Sequence, residues 1–428
     1  MKRTLNRRTF LQRSTAAAAG LAALAPASFA RAADSPARTL VVGVMGLGRG
    51  HDHVQALLQI PDVEIAYLCE VDAPRLARAA KTVAAKQARP AKAVKDVRAI
   101  LDDKSVDALF IAAPNFWHAP ATILACAAGK HVYVEKPGSH NAREAELMVA
   151  AARRHNRVVQ LGTQRRSWPA VIEAIEKLRA GVIGKVFSAR SWYSNARGSI
   201  GRGQPAPVPT ALDYALWQGP VPERPYVDNL IPYNWHWRWH WGGGELANNG
   251  VHALDLVRWG LGVDYPRRVT FNGGRYHFQD DQETPDTGVA VFDFGPVGAM
   301  WDNSSCLPRS NENLPMIAFY GEGGSLTYGG GGSYKIFDLK GKEIGQGTGP
   351  GGDKGHIENF LDCIRTGQRP RADIAEGQKA ALLCHLGNIA YRLGHTLNVN
   401  PATGKIVDDA QAQALWGREY RPGWEPRV

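Results

Sequence analysis

The chain has 428 residues, enough for two domains of ordinary size, and its 44% apolar and 21% charged residues match the profile of a globular protein. No stretch approaches the roughly 20 uninterrupted apolar residues that a membrane span needs. Six cations (Lys2, Arg3, Arg7, Arg8, Arg13, Arg31) and no acid fall within residues 1–32; setting them aside lowers the net charge from +11 to +5, and no Lys/Arg run remains that reads as a nucleic-acid stripe.

The N-terminus places Arg7-Arg8 just before an Ala-rich stretch from Thr15 to Ala27, followed by Ala30-Arg31-Ala32. Paired arginines, a weakly apolar core and a small-residue cleavage site arrive in the order of a twin-arginine signal, with cleavage expected after Ala32 and a periplasmic destination. A helical extension is the competing explanation. The cysteines, Cys69, Cys126, Cys306, Cys363 and Cys384, are odd in number and lack C-x-x-C spacing, which argues against a disulfide framework or a thiolate metal site. His, Asp and Glu spacings suggest no metal site either.

From Thr39 onward, short apolar runs alternate with helical patterns, as in βαβ units. Strands are predicted at Thr39–Met45, Val63–Cys69, Ala108–Ala112, His131–Val134 and Val158–Leu161. Helices are predicted at Ala73–Gln87, Asp96–Asp102, Ala142–Arg154 and Pro120–Ala128, the last opening with proline in its first turn. Beyond about Arg165 the texture changes. A helix (Pro169–Ala180) and a strand (Lys185–Tyr193) precede a long Pro- and Gly-rich stretch from Asn195 to Pro232. Period-2 alternation between Val269 and Asp338 predicts a mostly antiparallel sheet. Helices His356–Thr366 and Ala375–Leu393 follow, then a loop-like tail. The expected fold is α/β: a Rossmann-type doubly wound parallel sheet over 38–165, then an α+β domain with a large open sheet over 166–397, and a tail over 398–428.

The first strand runs into Gly46-Leu47-Gly48-Arg49-Gly50-His51. Glycines there allow a tight turn and close approach of a pyrophosphate to the positive end of the next helix. The spacing departs from G-x-G-x-x-G, since His51 stands where the third glycine is expected. Context strengthens the signal, because Glu70 ends the second strand about 20 residues further on. A carboxylate at Glu70 would bind the adenosine ribose and repel a 2′-phosphate, favouring NAD over NADP, whereas Arg49 could pair with that phosphate. Asp72 is expected to cap the following helix.

Three further motifs carry a family resemblance. Gly129–Pro137, containing Glu135-Lys136-Pro137, resembles the E-K-P signature of the Gfo/Idh/MocA oxidoreductases (glucose–fructose oxidoreductase and inositol dehydrogenase among them). Gly244–Asp255 is similar to that family's second-domain active-site motif. Ala113–His118 resembles its loop beside the nicotinamide. The resemblance implies an NAD(P)-dependent enzyme acting on a sugar or polyol, with Pro114, Asn115, His118, Glu135, Lys136 and Gln164 near the cofactor and a homo-oligomer formed through the open sheet.

The residues also make chemical sense unaided. Oxidising an alcohol carbon needs a base for its hydroxyl proton and a cation near the developing alkoxide. Lys136 can serve as both, and His252 can take or relay the proton. The family's usual aspartate four positions before the histidine is Asn248 here, and an amide cannot raise a histidine pKa as a carboxylate does. Asp255 supplies that charge instead or merely pairs structurally. Trp235, His236 and Trp237, within a run of four indoles in seven residues, suit a sugar's apolar faces and hydroxyl rim; a core strand or oligomer contact competes. Arg165 is a candidate for substrate hydroxyls or carboxylates, or a surface charge.

Export of a folded protein suggests a cofactor that stays bound through turnover. Two other functions stay open: a redox-neutral NAD-dependent glycoside hydrolase, and a non-enzymatic sugar-binding protein.

Overall fold

The computed structural model describes residues 38–428. The twin-arginine signal assigned to residues 1–32 lies outside the described residues.

The first sheet contains β1 (Leu40–Met45), β2 (Val63–Cys69), β3 (Lys92–Val94), β4 (Ala108–Ile111), β5 (His131–Val134) and β6 (Val159–Leu161), all parallel, in the order 3-2-1-4-5-6. That order reverses direction between β1 and β4, the place where doubly wound sheets bind ligands at their carboxyl ends. Its crossovers are α1 (Gly50–Leu57), α2 (Ala73–Ala84), α3 (Arg98–Asp102), α4 (Asn115–Ala127) and α5 (Ala142–Arg154). Asp72 caps α2 by accepting from Arg75 N (3.1 Å), and Asn141 caps α5 through Glu144 N (3.0 Å).

Helix α4 starts at Asn115, earlier than the expected Pro120. Pro120 therefore sits inside the helix and cannot donate to the Phe116 carbonyl one turn back. That oxygen accepts from Arg418 Nη2 instead (2.8 Å), so a distant side chain repairs the missing bond.

The second part begins with α6 (Pro169–Arg179) and β7 (Val186–Ser194). The remaining helices are α7 (Tyr214–Gln218), α8 (Val251–Leu261), α9 (Lys354–Thr366), α10 (Ile374–Leu393) and α11 (Ala410–Ala414). Its sheet adds β8 (Arg268–Gly274), β9 (Thr287–Asp293), β10 (Gly298–Ser304), β11 (Ile317–Gly321), β12 (Gly324–Tyr328), β13 (Ser333–Asp338), β14 (Glu343–Thr348) and β15 (Leu397–Asn398), in the order 14-13-12-11-7-10-9-8-15. Only the β7–β10 pair is parallel. Alternate residues such as Phe271, Phe292, Trp301, Phe319, Leu326 and Ile336 enter one core with Leu254, Val257 and Leu386 of α8 and α10, while Val291 on the opposite face is exposed.

The two parts interleave more than the sequence pattern suggests. Ile357, Phe360 and Leu361 of α9, read as part of the second domain, pack into the core beside Val42, Val44, Phe110 and Tyr133 of the first sheet. The tail is also partly structured: β15 pairs with β8, Asp409 caps α11, and Trp424 meets Trp117 edge-on at 5.2 Å.

Candidate active site

A cavity of about 400 Å³ opens at the carboxyl ends of β1, β2 and β4. Gly46 turns there with φ +81°, and a Cβ at that position would lie 2.5 Å from Ala113 N. Only glycine fits both constraints. Gly46, Gly48 and Arg49 line the cavity; the Leu47 side chain is buried in the core and Gly50 opens α1 against Val44.

Glu70 is 8% exposed at the cavity wall. Its Oε2 accepts from Leu47 N (2.7 Å) and its Oε1 from Val71 N and Asp72 N (2.8 and 3.2 Å), so the carboxylate pins the glycine turn. Asp72 also lines this end, together with Arg75 and Lys95, two cations that the sequence pattern did not single out. Arg49 is not at the Glu70 end. Its guanidinium bonds Glu135 (3.2 Å), both oxygens of Asp353 (2.7 Å) and Asp52 (2.9 Å), which removes it as a partner for a 2′-phosphate.

At the other end, Glu135 follows β5 and is 4% exposed. It is held by Arg49, by His53 Nε2 (3.0 Å) and by the Lys136 amide (3.1 Å). Burial opposes its charge, but the His53 bond and the Arg49 and Lys136 charges outweigh that and hold it well below the usual carboxylate range. Lys136 lines the cavity and donates through Nζ to Asn248 O (2.7 Å) and Asn248 Oδ1 (2.9 Å). Burial lowers its pKa; Glu135 and Glu245 partly restore it. Asn248 sits in a wide helical turn, Leu246–Gly250, that leads into α8, and its Nδ2 donates to the Tyr233 hydroxyl (3.3 Å). The amide at position 248 thus acts on Lys136.

His252, on the first turn of α8, is not part of the cavity wall. Its Nδ1 has no hydrogen-bond partner, and burial followed by the Arg165 and Lys136 charges keeps its pKa well below the ordinary value. Asp255 does not supply it with charge: both carboxylate oxygens take the Arg166 Nε (2.9 and 2.8 Å) in a buried ion pair. Gln164 donates to Asp353 (3.4 Å), and Arg165 lies 5.3 Å over Trp168; neither lines the cavity.

The remaining wall is apolar and aromatic. Pro114, Asn115, Trp117 and His118 come from the start of α4, and Trp235 and His236 from a short helical turn. His118 bonds Ala113 O (2.7 Å) and His236 bonds Tyr233 O (2.7 Å) while stacking on Trp235 at 3.5 Å. Burial pushes His118 to about 4 and His236 to about 3, so both are neutral at pH 7. Trp237 lies behind, under Arg197 (4.8 Å), which also covers Tyr233 (5.6 Å) and pairs with buried Glu245. Leu212, Leu216, Trp217, Ile231 and Tyr233 of the 195–233 stretch close the cavity, tied to the β2 end by Ala73 N→Ala211 O and Asp213 N→Val71 O (3.0 Å each). Sequence reading missed His53, Asp353, Tyr233, Trp217 and the Arg197–Glu245 pair, although His53 stands one turn after Arg49 and Glu245 lies within the Gly244–Asp255 motif. Among the described residues no group of three His, Cys, Asp or Glu can hold a metal ion.

Residues 37–163 match the NAD-binding Rossmann-fold model of the oxidoreductase family GFO_IDH_MocA, and residues 214–327 match a GFO/IDH/MocA C-terminal domain. The chain is similar to inositol 2-dehydrogenase of Salmonella paratyphi B (30% identity over 161 residues, 37% of this chain and 47% of that one). It is also similar to a glycosyl hydrolase family 109 protein of Saccharopolyspora erythraea (33% over 178 residues; 36% and 39%). The chain spans about half the length, or less, of the curated relatives it matches. Aldose-aldose oxidoreductase from Caulobacter crescentus shares the fold with a TM-score of 0.66 and 21% identity, over 85% of this chain and 100% of that one. Two domain models of one family, in the family's order, together span more than half of the sequence: the chain belongs to the Gfo/Idh/MocA oxidoreductase family.

Proposed function

We propose that this protein is an NAD-dependent oxidoreductase that acts on a CH–OH carbon of a sugar or polyol and keeps its cofactor bound through turnover. The carrying observation is Lys136, a buried amine on the cavity wall whose contacts are the two Asn248 oxygens.

The cavity residues fit a dinucleotide: a turn that only glycine can make, Glu70 at the second strand's end, and the backbone around Pro114. When bound, NAD supplies the two-electron chemistry that the side chains lack. A neutral Lys136 has two N–H donors, matched by the two oxygens of Asn248, and a lone pair left for a substrate hydroxyl proton. Charged, the same amine donates a third N–H to the substrate oxygen. Lys136 therefore takes the proton as the carbon is oxidised and returns it in the reverse direction. His118 and His236 are neutral and orient hydroxyls without competing for that proton. Glu135, fixed by Arg49 and His53, balances the charge on Lys136.

The closure by residues 195–233 supports a retained cofactor, and the arginine pair near the N-terminus supports export to the periplasm with the cofactor already in place. Pairing of two copies through the open sheet belongs to the same reading. Purified protein is denatured and the released dinucleotide quantified: near-stoichiometric NAD supports it, and an empty protein that works only with added NAD removes the retention. A second reading, redox-neutral cleavage of a glycoside, draws on the likeness to the family 109 protein and predicts aglycone release without net NADH.

A further inference from the structure

A second cavity, of about 570 Å³, lies where the start of α5, helix α10, the 239–243 turn and the C-terminal tail converge, and it shares no wall residue with the first. Cavities of this size take small organic ligands.

Two arginines stand at its rim, Arg224 over Trp241 (5.7 Å) and Arg392 over Trp239 (5.4 Å). Neither has a carboxylate within ion-pair distance among the described residues. Stacking on an indole holds a guanidinium plane in place and leaves its N–H edge free for an oxyanion. Deeper in the wall, Arg418 commits Nε to Glu144 (2.9 Å) and Nη2 to Phe116 O (2.8 Å), while its buried Nη1 has no partner. Asn141, 7% exposed, uses Oδ1 to cap α5, and its Nδ2 is likewise unpartnered. Buried polar atoms are rarely left unpaired, so two orphaned donors on one cavity wall point to an acceptor that belongs there.

The same wall offers neutral hydrogen-bonding groups. Burial pushes His385 to about 4, and its Nε2 meets Ser139 Oγ (2.9 Å). Asn388 spends its amide on Gly243 O (2.8 Å), leaving its carbonyl oxygen as an acceptor for a hydroxyl. Of the rim carboxylates, Glu223 is paired with Arg421 (2.7 Å) and only Glu419 is left. Cationic edges with neutral donors and acceptors beneath them match a charged head on a hydroxylated body.

We propose that this cavity is a second ligand site, for a sugar- or polyol-sized molecule carrying one carboxylate or phosphate group, held by Arg224, Arg392 and the orphaned donors of Arg418 and Asn141.

The test titrates the purified full chain calorimetrically with D-gluconate, D-glucose 6-phosphate, D-glucose and inorganic phosphate. At least one of the two sugar oxyanions is expected to bind about tenfold or more tightly than glucose or inorganic phosphate. Which one binds distinguishes a carboxylate from a phosphate head. Arg224→Ala and Arg392→Ala each weaken that binding about tenfold. Both side chains are exposed, and an unchanged thermal midpoint verifies that the variants fold. Lys136→Ala, in the first cavity, leaves the affinity unchanged. The proposal is overturned if neither sugar oxyanion binds, if inorganic phosphate binds equally well, or if Lys136→Ala abolishes binding while the rim variants do not.

Discussion

The Lys136 amine lies 2.7 Å from the backbone oxygen of Asn248 and 2.9 Å from its side-chain oxygen, so a charge placed at residue 248 would act directly on the proposed base. Replacing the amide with a carboxylate, Asn248→Asp, stabilises charged Lys136 and raises its pKa. Oxidation needs the neutral amine, so the rising limb of kcat/KM against pH moves to higher pH, by about one to three pH units. Reduction, which uses the charged form, gains over the same range. A profile identical to the native one counts against Lys136 as the titrating group.

Gly46→Ala tests the cofactor end. The added Cβ meets the Ala113 amide at 2.5 Å in a left-handed backbone region that costs alanine about 1–2 kcal/mol even without the clash. The turn must open, and Glu70, bonded to the next amide, moves with it. The expected result is a folded protein of reduced stability with little or no dinucleotide after purification. Full NAD content in this variant contradicts the placement.

How much of this was legible in the sequence depends on the range of the signal. The strand–glycine–helix junction, Glu70 and the run Val132–Pro137 are local patterns, and β2, β5 and α5 occupy the predicted spans. Partners chosen across the fold left no local trace. Arg49 reads as a phosphate ligand until Asp353, 304 residues away, captures it. Asp255 reads as a helper of His252 until Arg166, 89 residues earlier, occupies it. Pro120 misplaced the start of α4 because the donor that repairs the helix, Arg418, lies 302 residues beyond the Phe116 carbonyl it serves. Helix α9 has an ordinary amphipathic pattern, and nothing in periodicity tells which sheet its apolar face will cover.

Buried neutral histidines make the fold sensitive to mild acid. His118, His356 and His385 are pushed by burial to about 4 and His236 to about 3. In the unfolded chain each ring gains a proton as pH falls through about 6.5. Between these limits the unfolded state binds more protons, so stability is full above about pH 6.5 and declines toward about pH 4. Glu135, held below the carboxylate range, adds a further loss only below about pH 4.3. The thermal midpoint is expected to fall between about pH 7.5 and about pH 5, before most carboxylates titrate. A flat midpoint over that interval contradicts neutral burial of these rings.

Arg418 joins the C-terminal tail to the wall of the first cavity. It pairs with Glu144, which is fully buried, and it supplies the donor that Pro120 denies to Phe116 O. Arg418→Met keeps much of the apolar stem but leaves Glu144 with only the Tyr420 hydroxyl (2.8 Å) and the His140 amide (2.8 Å). Removing one member of a buried ion pair costs about 3 kcal/mol or more, and the unpaired carbonyl adds about 1 kcal/mol. Urea unfolding should register that loss as a lower midpoint at unchanged slope. Arg418→Lys restores a charge but not the fork that reaches both acceptors, so it recovers only part of the stability. Phe116 and Trp117 share this turn, and Trp117 lines the cavity, so the Met variant should also hold NAD less tightly, seen as a lower dinucleotide content. Native stability in Arg418→Met means that the tail is not a load on α4 and that the proline gap is filled by water.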